Sequence, residues 1–182
     1  MPFRSDGLPL FKSSNMQFWP ILGLLVSHPM KEPVIIGLYC GTKKPSSAVE
    51  FMQDFVQELQ NLEKGFDFKG KNISLKLHTV ICDTPARSFI KNTKAHNGYQ
   101  GCDKCAQRGR YMNRKMSYPL TEYRLRTDES FAQRIDEEHH HDGSYPFEGC
   151  NVGMISQYPL DYMHLVCLGV VRKLILDRKS VV

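Results

Sequence analysis

The amino-acid sequence predicts an α/β fold, a mixed sheet with flanking helices, and three observations carry that expectation. Two β-branched and aromatic runs near the start are followed by one capped, amphipathic helix. An alternating segment, Ile73 to Ile81, leads straight into an aspartate and a proline-started helix. A last apolar stretch, Leu160 to Leu176, returns with helical spacing after a long irregular and polar segment.

In chain order, Asp6-Gly7 reads as a turn or strand end, followed by the short apolar stretch Leu8 to Phe11 and the polar break Lys12 to Asn15. The runs Phe18–Val26 and Pro33–Cys40 read as buried strands. Ser47-Ala-Val-Glu50 fits a capping box, in which the serine hydroxyl accepts the third backbone N–H of the helix and the glutamate side chain reaches back. Ala48, Phe51 or Met52, Phe55, Leu59 and Leu62 then form one apolar stripe, and Gly65 ends the helix. Ile73, Leu75, Leu77, Thr79 and Ile81 share one face of a strand that runs into Cys82-Asp83, and Thr84-Pro85-Ala86 opens a short helix. Leu160, Met163, Val166 or Cys167, Val170 or Val171 and Leu174 suit a mostly buried helix. That spacing puts Asp161 and His164 on one face.

Composition narrows the function classes. The 182 residues are 41% hydrophobic and 24% charged, which gives room for one domain and excludes a disordered or fibrous chain. The longest apolar stretch, Phe18–Val26, is nine residues broken by Pro20 and Gly23. A membrane span needs about 20, so no membrane partner is expected. The six cysteines stand without a legible export signal, so they read as reduced thiols in an intracellular compartment. Cys40, Cys82 and Cys167 sit in apolar runs and are expected to be buried. The net charge of +5 is unevenly spread: Ala86–Lys115 carries eight basic residues against Asp103 alone, and Leu120–Cys150 carries eight acids against three arginines. A basic block interleaved with Tyr99 and Tyr111 is what contact with a phosphate backbone requires.

Three constellations carry candidate chemistry. Asp6, Asp83 and the Asp161/His164 pair are acidic and imidazole groups at element ends or on a buried face. Two carboxylates from separate strands can hold two divalent metals about 4 Å apart for phosphodiester chemistry, and hard oxygen ligands suit Mg²⁺ or Mn²⁺. An N-terminal cap is the alternative role for Asp83. Cys102-Asp-Lys-Cys105 has the spacing with which two thiolates clasp one zinc from a tight turn, eased by Gly101. The two further ligands are open among His96, Cys150, His139, His140 and His141, and a pair of free surface thiols is the alternative. The tract Asp136-Glu-Glu-His-His-His-Asp142 reads as a solvated loop, because adjacent residues cannot all converge on one ion. Trp19 reads as core.

In order along the chain, Ser5-Asp-Gly7, Trp19-Pro-Ile21, Gly41-Thr-Lys-Lys-Pro45, Asp83-Thr-Pro-Ala-Arg87, Gly98-Tyr-Gln-Gly-Cys-Asp-Lys-Cys105 and Leu160-Asp-Tyr-Met-His164 together resemble the CACTA (EnSpm-type) DNA transposases. The resemblance implies an RNase H-like DDE catalytic core interrupted by an irregular zinc-binding insertion. It implies that Asp6 follows a central first strand and Asp83 a later, fourth one, as ligands of Mg²⁺ or Mn²⁺. It makes Cys102 and Cys105 ligands of Zn²⁺, as in the related recombination-activating recombinases, and Asp161 and His164 an accessory active-site pair. Arg87, Lys91, Lys94, Lys104, Arg108 and Arg110 would then hold DNA phosphates in a nuclear protein, a homo-oligomer in its full-length form.

Two departures shape the expectation further. No glutamate follows His164, where the family's third carboxylate and a second pair of zinc ligands would lie, and Met-Pro-Phe-Arg-Ser does not read as an apolar first strand. The chain is therefore expected to be a piece of a transposase core truncated at both ends, with a central gap in its sheet and little or no activity by itself. Its parts would be a partial core over 1–96, the insertion over 97–157 and a helix returning to the core over 158–182. The alternative is a domesticated, non-catalytic zinc- and nucleic-acid-binding module.

Overall fold

A computed structural model describes residues 2–4, 7–10, 15–29 and 31–179. The elements are β1 (Pro2–Arg4), β2 (Leu8–Pro9), β3 (Gln17–Gly23), β4 (Val34–Gly41), α1 (Ala48–Glu63), β5 (Phe66–Phe68), β6 (Lys71–Ile73), β7 (Thr79–Ile81), α2 (Thr84–Lys91), β8 (Arg110–Met112), β9 (Lys115–Ser117), α3 (Asp128–Ala132), a 3₁₀ turn (Glu137–His139), a π-helical segment (Met163–Val171) and α4 (Arg172–Lys179). The α/β class expected from the sequence is therefore present.

Five strands form the main sheet. β3 pairs along one edge with β4, antiparallel, with a bulge between Ile21 and Leu22. Its other edge pairs antiparallel with β1 (Arg4↔Leu22) and with β2 (Leu8↔Phe18). β1 pairs on its far side with β7, in parallel, with Arg4 opposite Ile81. The expected central gap does not exist: Pro2–Arg4 forms the strand that the sequence reading denied. A strand inside a sheet is formed by backbone pairing on both sides, and three residues between β3 and β7 obtain it whatever their side chains. Proline is tolerated because it opens the strand.

Helix α1 follows its local signals. The Ser47 hydroxyl accepts the Glu50 N–H at 3.2 Å, Ala48, Met52, Phe55 and Leu59 are buried, and Gly65, at φ +97°, turns the chain away where other residues would be strained. The segment expected to be one strand, Ile73–Ile81, divides. Its start pairs with β5 in a hairpin turned on Lys69 and Gly70, both at positive φ, and only its end joins the main sheet as β7.

The core collects Trp19 and Ile21 of the sheet, the α1 stripe, Val80, Cys82, Ala86 and Ile90. Phe131, Tyr145, Phe147, Met154, Ile155 and Tyr158 complete it, so the irregular segment packs into the same core. Three expectations of burial fail. Cys40 and Cys167 are exposed, and only Cys82 is buried. The Leu160–Leu176 stretch is helical over most of its length, but Met163, Leu165, Leu168, Val170, Val171 and Leu174 are exposed. Hydrophobicity on every side of this helix predicts enclosure, and nothing among the described residues encloses it. Strand β4 likewise exposes Val34, Ile35 and Leu38. Among the described residues, no helix is long and apolar enough to cross a membrane.

Candidate functional site

Asp83 follows β7 directly and caps α2, its Oδ1 accepting the Ala86 N–H at 2.7 Å. An anionic cap at a helix N-terminus is electrostatically favoured, and the capping role considered for this carboxylate is present. Asp6 lies outside the described residues. It follows Arg4 by two positions as Asp83 follows Ile81, the residue paired with Arg4.

Arg87, one turn into α2, links this strand end to the last motif. Its Nη1 donates to the Pro159 carbonyl and its Nη2 to Thr84 Oγ1, each at 3.4 Å. Two residues beyond Pro159, the buried Asp161 accepts the Met163 N–H at 3.0 Å and pairs with His164 Nδ1. Asp161 and His164 thus share one face, as their spacing predicts, and are in contact there.

The Cys102–Cys105 turn is tight. The two sulfurs are 3.2 Å apart, and the Cys105 N–H points at Cys102 Sγ from 3.4 Å. Burial pushes the Cys105 thiol up. Gly101 is obligatory here, because a Cβ on it would lie 2.0 Å from the Ala95 carbonyl oxygen. Arg126 Nε donates to the Cys102 carbonyl at 3.2 Å and its Nη1 pairs with Asp136, which also takes Arg124. Two thiols at this separation fit one half of a tetrahedral zinc site. Among the described residues, no group of three His, Cys, Asp or Glu side chains could hold a metal ion. Of the candidate further ligands, Cys150 Sγ accepts from Gln60, His139 Nδ1 bonds the Gln100 carbonyl, His140 packs on Phe131 and His141 meets Lys94, while His96 is exposed.

The residue between the cysteines, Asp103, was not singled out by the sequence reading, yet it is the electrostatic centre of the region. Lys91 Nζ is bonded to its Oδ1, while Arg87 Nε and Lys104 Nζ lie 3.6 and 3.5 Å from its Oδ2. Burial pushes the Asp103 carboxyl up, but Lys91, Arg87 and Lys104 outweigh it and hold the group below its ordinary value. Burial lowers Lys91 to about 8, with Asp103 opposing. Three cations on one carboxylate leave an excess of positive charge, which carbonyl and ring dipoles absorb. Lys104 Nζ donates to the Ile155 and Tyr158 carbonyls at 2.8 and 2.6 Å, and Lys91 Nζ sits 4.9 and 5.4 Å from the Phe131 and Tyr158 ring centres.

The expectation of one exposed basic band is corrected accordingly. Arg87 and Lys91 are buried, and the Lys104 amine is spent on Asp103 and two carbonyls, so these three are structural in this region. Lys94 is half-buried beside His141, and Arg108 and Arg110 are exposed. The one sequence signal for Asp103 was its isolation, a single acid inside a long basic block.

The acidic and histidine tract is not the solvated loop it reads as. His139 and His140 are buried against Phe131, which also meets Tyr145 edge-on. Adjacent histidines sit in a core here because the 3₁₀ turn at Glu137–His139 aims both rings at one aromatic neighbour.

No family model matches this chain, and neither a curated protein nor a solved structure does.

Proposed function

We propose that this chain is part of the RNase H-like catalytic core of a cut-and-paste DNA transposase of the CACTA type. One observation carries the reading: β1 lies inside the sheet, between β3 and β7, and β7, the last strand of that sheet in chain order, is its parallel neighbour and leads into Asp83. The resemblance calls for a central first strand that leads into one aspartate and a later strand that leads into another. Parallel neighbours end at the same edge, and Asp83 follows β7 there.

Asp6 and Asp83 would hold Mg²⁺ or Mn²⁺, which supplies charge stabilisation for attack on a phosphodiester and departure of the 3′ oxygen. Asp83 meets this role with a carboxylate fixed as a helix cap, and Arg87 ties its helix to the chain just before Asp161. Asp161 orients His164 beside it. Cys102 and Cys105 would supply two thiolates to a zinc, on a turn that Asp103 fastens to α2. The partner is DNA and the setting nuclear.

Asp83→Asn is the clean test, because asparagine caps a helix as well as aspartate does but is a far poorer metal ligand. In the protein translated from the complete reading frame, Mg²⁺-dependent nicking of element-end DNA is expected to fall at least about 100-fold in this variant, with the melting temperature unchanged. Nicking that survives Asp83→Asn overturns the catalytic reading. Zinc-edge absorption of the same protein is expected to show sulfur at about 2.3 Å, lost in Cys102→Ser with Cys105→Ser. An unchanged spectrum removes the cysteines from the zinc site.

A further inference from the structure

Downstream of the cysteine turn, residues 106–121 contain four basic residues and no acid. The chain folds here into the β8–β9 hairpin, turned on Asn113 and Arg114, both in the left-handed region at φ 51° and 60°. Beside the hairpin lies a concavity of about 520 Å³ whose lining includes Tyr99, Tyr111, Tyr123, Leu120, Arg108 and Arg110. The three tyrosines are 53%, 63% and 45% exposed, unusual for aromatic side chains that line one hollow without filling it. Arg108 places its guanidinium 5.7 Å from the Tyr99 ring centre.

The hollow is held from beneath. Gln107 is buried, and its amide both donates to the Leu120 carbonyl at 2.8 Å and accepts the Leu120 N–H at 3.1 Å. The Gly109 N–H meets the Tyr99 carbonyl at 2.6 Å, and the Tyr118 hydroxyl donates to the Gly98 carbonyl at 2.7 Å. These bonds tie Tyr99, the hairpin and Leu120 into one unit, so a ligand would meet a preformed surface and the ordering cost of binding would be small.

We infer that this hollow is a binding platform for single-stranded nucleic acid, whose unpaired bases stack on Tyr99, Tyr111 and Tyr123 while Arg108 and Arg110 hold the adjoining phosphates. Charge identifies the class of partner, since a hollow whose lining includes Arg108 and Arg110 and no acidic residue selects a polyanion. The tyrosines identify its form. Phosphate contact alone needs no aromatic surface, and the faces of duplex bases are already covered by their neighbours, so exposed rings among arginines match a strand whose bases are free. The inference shares with the proposed function only a nucleic-acid partner, and needs neither Asp83 nor a divalent metal.

The test is fluorescence anisotropy of the whole chain, without Mg²⁺, against labelled oligo-dT of about 15 nucleotides and a duplex of the same length. The single strand is expected to bind at least about fivefold more tightly than the duplex. Tyr111→Ala and Tyr99→Ala should each weaken single-strand binding by about tenfold, Tyr111→Phe should restore it, and duplex binding should not change. Arg110→Ala should weaken both and reduce the slope of log affinity against log salt by about one. Equal affinities with silent tyrosine variants overturn the platform but leave DNA as partner. Oligoglutamate competing as well as oligo-dT, with the same tyrosine dependence, overturns it in favour of an acidic protein. Absence of binding to either DNA overturns both the platform and DNA contact by this chain.

Discussion

Asp103→Ala is expected to cost about 3–5 kcal/mol, a large fraction of the roughly 5–15 kcal/mol that holds a domain of this size together. The carboxylate pairs with Lys91, whose side chain is 0% exposed, and with Arg87 at 7%. Without it both cations stay buried and lose their paired carboxylate. Lys91 would then sink further below about 8 and shed its proton near neutral pH. Urea unfolding of the purified chain measures the loss, and Asp103→Asn, which keeps the volume and one acceptor, should fall between. The double variant Asp103→Asn with Lys91→Met should lose much less than the two single losses added, because it removes the unpaired ammonium together with its partner. A loss below about 1 kcal/mol in Asp103→Ala, or strict additivity in the double variant, refutes the account.

That network also explains what could be read from the sequence and what could not. Helix α1 was legible because its cap, stripe and terminating glycine are all local, and the structure repeats them from Ser47 to Gly65. The pairing of Asp161 with His164 was legible for the same reason, being a contact within one turn of chain. Lys91 was not. A lysine in a basic block reads as solvated, and its burial depends on a carboxylate twelve residues away and on the rings of Phe131 and Tyr158, farther along the chain. Strand β1 was illegible because its two partners, Gly23 and Val80 opposite Phe3, are contributed from elsewhere in the chain. The two small hairpins left fainter traces in Lys69-Gly70 and Asn113-Arg114, dipeptides that can turn a chain at positive φ.

The candidate site divides along the same line. Position after a strand and before a proline-started helix was enough to select Asp83, and the structure makes it the cap of that helix. Selecting Arg87 for phosphate contact used its charge and its nearness in sequence, neither of which registers that Asp103 lies within reach. The buried ion cluster and the exposed tyrosine hollow are neighbours in sequence with opposite fates. Arg87, Lys91 and Lys104 turn inward to one carboxylate, whereas Arg108 and Arg110 remain in solvent.

Acid should destabilise this fold well above the pH at which its carboxylates titrate. His139 is buried and neutral, donating from Nδ1 to the Gln100 carbonyl at 2.7 Å while its buried Nε2 has no hydrogen-bond partner among the described residues. Burial, with Arg126 next, holds it at about 4, and burial with Arg134 and Arg126 does the same to His140. Unfolded histidine titrates at about 6.5. Between those values the unfolded chain binds protons that the folded chain refuses, so stability is whole above about 6.5 and drains away as pH falls towards 4. For His139 alone the loss at pH 4 is about 3 kcal/mol. Asp103 and Asp128 are both held below their ordinary value, so their contributions fail only at lower pH and do not blur this window. Urea midpoints between pH 7 and pH 4 measure the slope. His139→Asn keeps a donor for Gln100 and cannot titrate, so it should flatten a large part of that slope while costing stability at pH 7. A slope that persists in full in His139→Asn, or no slope in the unaltered chain, would mean that these imidazoles take up protons in place.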